Sequence, residues 1–293
     1  MREKTNLLGY FYISPYIIGL LAFTLIPMAI SLYLSFTDYN LLSSPRWIGG
    51  GNFSRMVSDD QFWQSVRVTF YYVFTAVPAR LVFALAVAIA LKELNFLKGF
   101  YRLVFYVPSL IGGSVAVAVI WVQLFSKDGV VNAFLNTLGF NIDFSWIGNP
   151  STAIWTLVLL SAWQFGSAML IFLAGLQNIP KDYYEAASVD GANAWRRFVR
   201  ITLPMLSPII LFNVVMQTIN GFLAFTPSYI VTEGGPMNST LLYVLYLFRR
   251  AFQFSDMGYA SAMAWVMLIL ISILTALIFS SSRSLVHYEG KGD

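Results

Sequence analysis

Recurrent apolar runs of about twenty residues constrain the fold of this 293-residue chain more than any other feature. A helix needs roughly 20 apolar residues to cross the hydrocarbon core of a bilayer. Only 11% of the residues are charged and 58% are hydrophobic, whereas soluble domains carry roughly 25% charged residues. The run lengths and the composition together indicate an integral membrane protein.

Six segments qualify as membrane spans, and each must be helical because lipid offers no partners for unpaired backbone groups. The predicted limits of the spans are 13–36, 67–91, 103–125, 152–176, 204–226 and 260–281. The runs are continuous rather than alternating, which argues against a β-barrel. We therefore predict an all-α, polytopic protein that forms one transmembrane domain over residues 1–293. Its first span is expected to be retained rather than cleaved as a signal peptide.

Lysine and arginine are distributed unevenly between the two sides of the predicted spans. With the N-terminus inside the cell, the inner segments carry 11 of the 18 basic residues and the outer segments carry 6, while Arg80 lies within a span. Basic residues concentrate in the cytoplasmic loops of membrane proteins. Both termini are thus predicted to be cytoplasmic, together with the loop after the fourth span, residues 179–204.

An aromatic run at residues 241–254 lies in the third outer segment. It is short for a span, and we expect Arg249 and Arg250 to end it. The pattern predicts an interfacial or re-entrant helix, with Tyr243 and Tyr246 in the headgroup layer where amphipathic rings are favoured.

The sequence contains no pattern typical of a catalytic or metal-binding site. It has no Cys, and its one His, His287, cannot form a multi-His metal site. The G-x-x-x-x-G-K-[ST] pattern of a P-loop is absent, so any ATP must be bound and hydrolysed by another chain. These absences favour a non-catalytic transport subunit without a cofactor of its own.

The polar stretch after the fourth span has the local signals of two short helices joined by a glycine turn. Pro180 suits the first turn of a helix, and Gly191 suits a left-handed cap. Asn193 can then cap the second helix. Two interpretations remain open from the residues alone: an amphipathic segment resting on anionic lipid, or a surface on which another protein docks.

This stretch resembles the EAA loop of the membrane subunits of bacterial ABC importers, whose pattern is E-A-A, three residues, G, nine residues and I-x-L-P. The matching residues are Glu185, Ala186, Ala187, Gly191, Ile201, Leu203 and Pro204. Residues 8–281 resemble the carbohydrate-specific, maltose-permease-like branch of that family. A second motif, "TEGGPMNST", is similar to an outer loop of that branch at Thr232, Gly234, Gly235, Pro236 and Thr240.

The resemblance implies a type I ABC importer permease fold and a set of partners. In that family the EAA loop is a coupling helix held in a cleft of a cytoplasmic ATPase. We therefore expect a second permease subunit, two ATP-binding subunits that hold ATP and Mg, and an extracytoplasmic solute-binding protein. Gly234, Gly235, Pro236 and Thr240 become candidate contacts for the binding protein, and the implied mechanism is alternating access.

Polar side chains inside the predicted spans are candidates for the substrate pathway. Amide side chains recur on one face of the fifth span, where they could hydrogen-bond sugar hydroxyls or instead join packed helices. The candidates are Asn213, Met216, Gln217 and Asn220 in the fifth span, with Trp163 and Gln164 in the fourth.

Arg80 is the unusual residue, because it lies near the middle of the second span. A central arginine costs roughly 2.5–3.5 kcal/mol on insertion scales. Three interpretations are open: it pairs with a carboxylate or carbonyl of the partner permease, the span boundary is misplaced, or it faces the pathway and favours an anionic sugar. A partner within this chain would have to be neutral, since no Asp or Glu lies within a predicted span.

These observations predict an importer permease for a sugar or oligosaccharide. The same machinery could carry a polyol or glycerol phosphate. A secondary transporter or channel is a further alternative, although coupling to protons or sodium would require intramembrane carboxylates that the spans lack.

Overall fold

The computed structural model describes residues 2–94 and 96–282. His287 and the basic residues Arg283 and Lys291, which contribute to the predicted orientation, lie outside the described residues. Contacts divide the chain into two compact units. The first comprises Met1–Asp60 and Leu247–Leu270, and the second comprises Gln61–Tyr246 and Ile271–Asp293.

The described residues are almost entirely helical. The α-helices are α1 (Arg2–Leu20), α2 (Ile26–Ser35), α3 (Gly51–Val57), α4 (Asp60–Glu93), α5 (Lys98–Ile111), α6 (Val115–Leu124), α7 (Val130–Thr137), α8 (Ala153–Trp163), α9 (Gly166–Asn178), α10 (Lys181–Val189), α11 (Ala194–Arg197), α12 (Leu203–Phe222), α13 (Tyr243–Phe248) and α14 (Met257–Ser282). Four π-helical segments lie at Leu21–Leu25, Phe198–Thr202, Pro227–Thr232 and Arg249–Gln253.

Four helical stretches are long and apolar enough to cross a membrane on their own: Gly9–Ser35, Asp60–Glu93, Ala194–Phe222 and Met257–Ser282. Two bent pairs, α5 with α6 and α8 with α9, pass the same test together, which gives up to six spans. These stretches and pairs lie where the six predicted spans were placed.

The third predicted span is not one continuous helix. α5 and α6 meet at an angle of 96°. Gly112 and Gly113 form the break, and Ser114 starts the new helix in an extended conformation with its hydroxyl accepting the backbone N–H of Val117. Two glycines and an N-cap serine are local signals for a helix end, and they override the apolar run length.

A π-helical turn precedes a proline in two long helices. Leu21–Leu25 lies just before Pro27, and Phe198–Thr202 lies just before Pro204. The wider turn bonds each N–H to the carbonyl five residues earlier, as from Leu203 to Phe198, so the helix continues although proline lacks an N–H. The second of the two predicted short helices is consequently not short, because it is the start of the continuous helix Ala194–Phe222.

The first unit contains a small hairpin, in which β1 (Thr37–Asp38) pairs antiparallel with β2 (Arg46–Trp47). The amide of Asn52 is buried and donates to the carbonyls of Ser35 and Thr37, both at 2.9 Å. These two strands leave the all-α class unchanged.

Charged groups hold the first unit together at a second place. Asp59 accepts from Arg250 at 3.2 Å and from the Tyr259 hydroxyl at 2.7 Å, while Arg55 pairs with Asp256 at 2.8 Å. These bonds join α3 and the residues just after it to the π-helical segment Arg249–Gln253 and the start of α14, which are far apart in the sequence.

The second unit has an apolar core built mainly from α4, α9 and α12. Small residues allow these helices to approach closely, since a side chain at Gly175 would collide with Leu206 and Ile209. The fully buried members include Ala84, Ala88, Ala168, Met169, Phe172 and Leu206. This core positions the polar residues that line the cavity described below.

The prediction for the aromatic run was wrong in two respects. Tyr243 and Tyr246 are 2% and 1% exposed, so their rings pack inside the protein and do not face lipid headgroups. The backbone N–H of Tyr243 donates to Thr69 at 2.8 Å, which only the fold brings near. The helix also continues through Arg249 and Arg250 to Gln253, because the charges end the apolar pattern without ending the backbone hydrogen bonding.

Candidate functional site

The EAA segment, defined here as residues 181–200, folds as a helix, a glycine turn and the start of a second helix. Gly191 has φ +75, the left-handed conformation that the sequence predicts for a cap. The N–H of Ala192 donates to Ala187 at 2.9 Å, and the Asn193 side chain accepts the N–H of Arg196 at 2.8 Å. Both the glycine turn and the asparagine cap are therefore confirmed.

One side of the EAA segment is anchored to the rest of the second unit. The Tyr184 hydroxyl lies 3.0 Å from that of Thr202, and the Lys92 ammonium lies 4.4 Å from the centre of the Tyr184 ring. The guanidinium of Arg197 donates to the Ser188 hydroxyl at 2.9 Å and so links the two helices of the turn. The segment thus has a fixed shape without a core of its own.

The other side of the EAA segment is open. No residue of α10 or α11 is buried, and Val189 and Trp195 are 88% and 71% exposed. Glu185 and Ala186 are exposed and Ala187 is half-buried, whereas Ile201, Leu203 and Pro204 are half-buried at the base of the long helix. The motif residues therefore divide into an open surface and a support that joins it to α12.

A polar cavity of about 240 Å³ lies among α4, α8 and α12 in the second unit. Several of its walls are small or apolar side chains, such as Ala76, Val77 and Gly221. Its polar lining consists of Tyr72, Arg80, Ser161, Gln164, Gln217, Asn220 and Thr226. The structure therefore brings together four of the predicted pathway residues, namely Arg80, Gln164, Gln217 and Asn220.

Arg80 is held at the break between α8 and α9, where the two helices bend by 42°. Its guanidinium donates to the carbonyl oxygen of Gln164, and the Ser109 hydroxyl donates to the same oxygen at 2.8 Å. The neutral partner expected for Arg80 within this chain is thus a backbone carbonyl.

Gln164 also connects the two bent helix pairs. Its side-chain amide donates to the carbonyl of Gly112, at the break between α5 and α6, at a distance of 3.0 Å. A side chain at Gly112 would collide with this amide. The two helix breaks are therefore joined by one glutamine, directly beside the cavity.

Three side chains, two of which line the cavity, have buried polar atoms without hydrogen-bond partners among the described residues. These atoms are the Nε of Arg80, the Oε1 of Gln217, and both side-chain atoms of Asn213. A buried polar atom without a partner costs roughly 1–3 kcal/mol. Such a cost is typical of groups that await a ligand, water or another chain.

The remaining predicted pathway residues lie away from the cavity lining. Asn213 is fully buried but does not line it, and Met216 is 40% exposed on the outside of α12. Trp163 packs on Trp121, with ring centroids 5.8 Å apart, beside a separate apolar cavity. These three positions depend on how neighbouring helices rotate, which a pattern on one helix does not specify.

Sequence reasoning did not select Tyr72 and Ser161, which also line the cavity. A signal for Tyr72 does exist, since Tyr72, Ala76 and Arg80 recur at intervals of four and share one helix face. Ser161 lies three residues before Gln164 on the neighbouring span.

The GGP loop, defined here as residues 228–240, is closed by its own polar groups. The Ser228 hydroxyl donates to the Thr240 carbonyl at 2.6 Å. The Thr240 hydroxyl lies 2.7 Å from that of Thr232 and 2.8 Å from the Gly235 carbonyl. Gly234 and Thr240 are buried, Gly235 and Pro236 are half-buried around a cis peptide bond, and Met237 at the tip is 86% exposed.

Comparison with known proteins agrees with this architecture. A model of the family described as binding-protein-dependent transport system inner membrane component matches residues 62–287. The chain is 57% identical over 292 residues to the probable ABC transporter permease protein YesP of Bacillus subtilis (strain 168), covering 99% of this chain and 94% of that protein. It is 33% identical over 291 residues to the lactose transport system permease protein LacF of Rhizobium radiobacter, covering 97% of this chain and 96% of that protein.

A solved structure has the same fold. It is a chain of a bacterial ABC transporter involved in the import of the acidic polysaccharide alginate, with a TM-score of 0.84 and 23% sequence identity. The similarity covers 97% of this chain and 98% of that chain. It confirms the predicted type I permease fold.

Proposed function

Because this chain belongs to the family of inner membrane components of binding-protein-dependent transport systems, we propose that it is the permease subunit of an ATP-driven sugar importer. The chain is a multi-pass membrane protein, and its relatives are ABC transporter permeases. The sugar as substrate class is supported by the similarity to a lactose transport permease. Both termini and the EAA segment would lie on the cytoplasmic side.

The observation that carries the proposal is one unbroken helix. Ala194–Phe222 runs for 29 residues, about 44 Å at 1.5 Å per residue, from the exposed EAA segment to the polar cavity. Gln217 and Asn220 line the cavity near the far end of this helix. A force applied at the EAA segment would therefore reach the cavity along one continuous helix, which supports a mechanism of alternating access.

The surface available for an ATPase is the open side of the EAA segment. It combines small residues, which allow close approach, with the exposed indole of Trp195 and the exposed carboxylate of Glu185. Exposed aromatic residues surrounded by polar groups are common anchors at protein interfaces. We propose that an ATP-binding subunit docks here and supplies the ATP and Mg sites, since this chain lacks a P-loop.

A solute-binding protein and a second permease subunit complete the proposed importer. The family description itself refers to dependence on a binding protein. Since Gly234 and Thr240 are buried, the contact residues of the GGP loop would be the exposed Glu233 and Met237 rather than the buried motif positions.

Reconstitution tests the proposal directly. The chain would be purified with its neighbouring subunits and placed in liposomes, with ATP enclosed and labelled sugar added together with the binding protein. We expect co-elution with an ATPase subunit and sugar uptake that requires ATP. Uptake of the same rate by this chain alone, without the ATPase, would indicate a secondary transporter or channel and would overturn the proposal.

A pair of substitutions tests the role of the cavity in sugar uptake. Gln217→Leu removes an amide that lines the cavity, whereas Asn213→Leu removes a fully buried amide four residues earlier that does not. We expect Gln217→Leu to reduce uptake about tenfold more than Asn213→Leu, because a lost hydrogen bond to bound solute is worth about 1.4 kcal/mol or more. If both variants assemble normally and lose uptake equally, the sugar does not bind in this cavity.

A further inference from the structure

The polar cavity carries a positive charge that the described residues do not balance. Arg80 lines the cavity, and neither Asp nor Glu appears among the lining residues. Arg80 forms no ion pair with any residue whose side chain the structure describes, that is, residues 9–94 and 96–282. A guanidinium remains charged under all ordinary conditions, so this site has a net positive charge.

From this juxtaposition we propose that the cavity is a subsite for a sugar residue that carries a carboxylate group. The inference rests on the proposed function, because it assumes that the chain transports a sugar and then specifies the class of sugar. It identifies Arg80 as the residue that selects an acidic sugar over a neutral one.

The hydrogen bonding of Arg80 supports a carboxylate as the group that it binds. One terminal nitrogen of the guanidinium is held by the Gln164 carbonyl, which fixes the orientation of the group. The buried Nε has no partner among the described residues. A guanidinium has five N–H donors in a planar fork, which matches the two oxygens of a carboxylate. A neutral hydroxyl would leave part of that fork and its charge unsatisfied.

The rest of the lining suits the hydroxyl groups of one sugar ring. Gln217 is 6% exposed and its Oε1 lacks a partner in the described part of the chain, so it can accept from a hydroxyl. Asn220 and Tyr72 add further polar groups. The volume of about 240 Å³ is below the roughly 300–1,000 Å³ typical of pockets for drug-sized ligands, which fits a single residue of an oligosaccharide.

A phosphate ester fits this lining less well than a carboxylate. Arg80 is the only cationic residue among those that line the cavity. A phosphate monoester carries roughly 1.5–2 negative charges at neutral pH, so one guanidinium would leave excess negative charge in a low-dielectric site. We therefore commit to the carboxylate and treat the phosphate as an arm of the test.

The experiment measures binding to the detergent-solubilised complex of permease and ATPase subunits. The binding protein is left out so that its own specificity does not contribute. Saturation-transfer difference NMR would compare digalacturonate with its dimethyl ester, which is neutral and of similar size, and with glycerol 3-phosphate. We expect the acid to bind at least about tenfold more tightly than the ester and the phosphate.

Variants then test whether the preference for the acid over the ester comes from the Arg80 side chain. Arg80→Gln should remove the preference for the acid over the ester, and Arg80→Lys should retain part of it because the charge remains without the fork. Arg67→Gln, an arginine of the same helix outside the cavity lining, should retain the full preference. If the Arg80→Gln complex fails to assemble, Arg80→Lys serves as the test. If Arg80 only holds Gln164, the substitution should leave the ratio of the affinities for the acid and the ester unchanged.

Three results would overturn the inference. These are equal binding of acid and ester by the unsubstituted complex, tighter binding of glycerol 3-phosphate, and a loss in Arg80 variants that is the same for every probe. The last result would mean that Arg80 holds the Gln164 carbonyl in place without selecting the charge of the solute. ATP-driven uptake of a neutral sugar alongside any of these results would leave the proposed importer function intact, whereas absence of ATP-driven uptake of any sugar would remove that function as well.

Discussion

The EAA segment and the GGP loop each carry a sequence motif, but their polar side chains differ in surroundings. Those of the GGP loop bond within the loop, whereas those of the EAA segment are largely exposed. In the GGP loop, Ser228, Thr232 and Thr240 bond to one another and to the loop backbone. In the EAA segment, Glu185 and Trp195 are exposed and no residue of its two helices is buried. One motif closes a loop, and the other leaves a surface open.

The difference shows that a motif match and a contact surface are separate properties. Residues of the GGP motif were expected to touch a binding protein, but Gly234 and Thr240 are buried and support the exposed tip instead. Residues of the EAA motif divide between the open surface and its attachment to α12. A match to a motif does not show which residues can contact another protein. That depends on whether a polar side chain is already hydrogen-bonded within its own chain.

The largest effect is expected at the turn of the EAA segment. Nothing lies within 4 Å of the position that a β-carbon on Gly191 would occupy, so only its φ of +75 opposes substitution. Gly191→Val should reduce the population of this turn by roughly 5- to 30-fold, because the left-handed conformation costs about 1–2 kcal/mol. Gly191→Asn is the matched control, since asparagine tolerates this conformation.

The measurement for this pair is sugar uptake per ATP hydrolysed in reconstituted vesicles. We expect Gly191→Val to lose most of its coupled uptake and Gly191→Asn to keep most of it. Normal coupling in both variants would show that the shape of the turn is unimportant, and the open surface would then lose its assigned role.

A smaller effect is expected at the open surface itself. Trp195 is 71% exposed, so Trp195→Ala should leave the thermal unfolding temperature of the permease almost unchanged. It should weaken binding of the ATPase subunit by about fivefold or more, because removing an interface anchor costs more than about 1 kcal/mol. Titration of the ATPase into permease-containing nanodiscs measures this, and an unaltered dissociation constant would argue for lipid contact instead.

The smallest effect on the coupling of ATP hydrolysis to uptake is expected in the GGP loop, where the predicted change is in stability. Thr240→Val removes a buried hydroxyl that bonds to Thr232 and Gly235, so it should destabilise the loop by about 1–3 kcal/mol. Met237→Ser changes an exposed tip residue and should leave stability unchanged. Thermal unfolding in detergent compares the two variants, and equal stability would mean that the loop does not depend on its internal bonds.

Much of the backbone was predictable from short-range signals. The predicted spans fall on long apolar helices or bent pairs, and the turn at Gly191 and the cap at Asn193 were correctly predicted. The failures occurred where local chemistry competed with run length. Gly112, Gly113 and Ser114 bend the third predicted span, and a π-helical turn before Pro204 extends a helix that was expected to be short.

The candidate site was predictable only in part, for a geometric reason. Periodicity places Gln217 and Asn220 on one side of α12, and the charge of Arg80 marks it as unusual within a span. Periodicity does not specify how far each helix is rotated towards its neighbours. Trp163 therefore lies in an apolar cluster, while Tyr72 and Ser161 line the cavity.

The sequence by itself determined the membrane-spanning character, the helical class and the two motifs, because these depend on composition and on residues close together in the chain. Tertiary structure decided which polar groups are buried, which are exposed, and which meet in the cavity. The contact between Arg80 and Gln164 joins residues 84 positions apart, and the bond from Tyr243 to Thr69 joins residues 174 positions apart. Such contacts depend on how the helices pack against a shared core. No local sequence pattern specifies the close approach between Gly175 and Leu206 in that core.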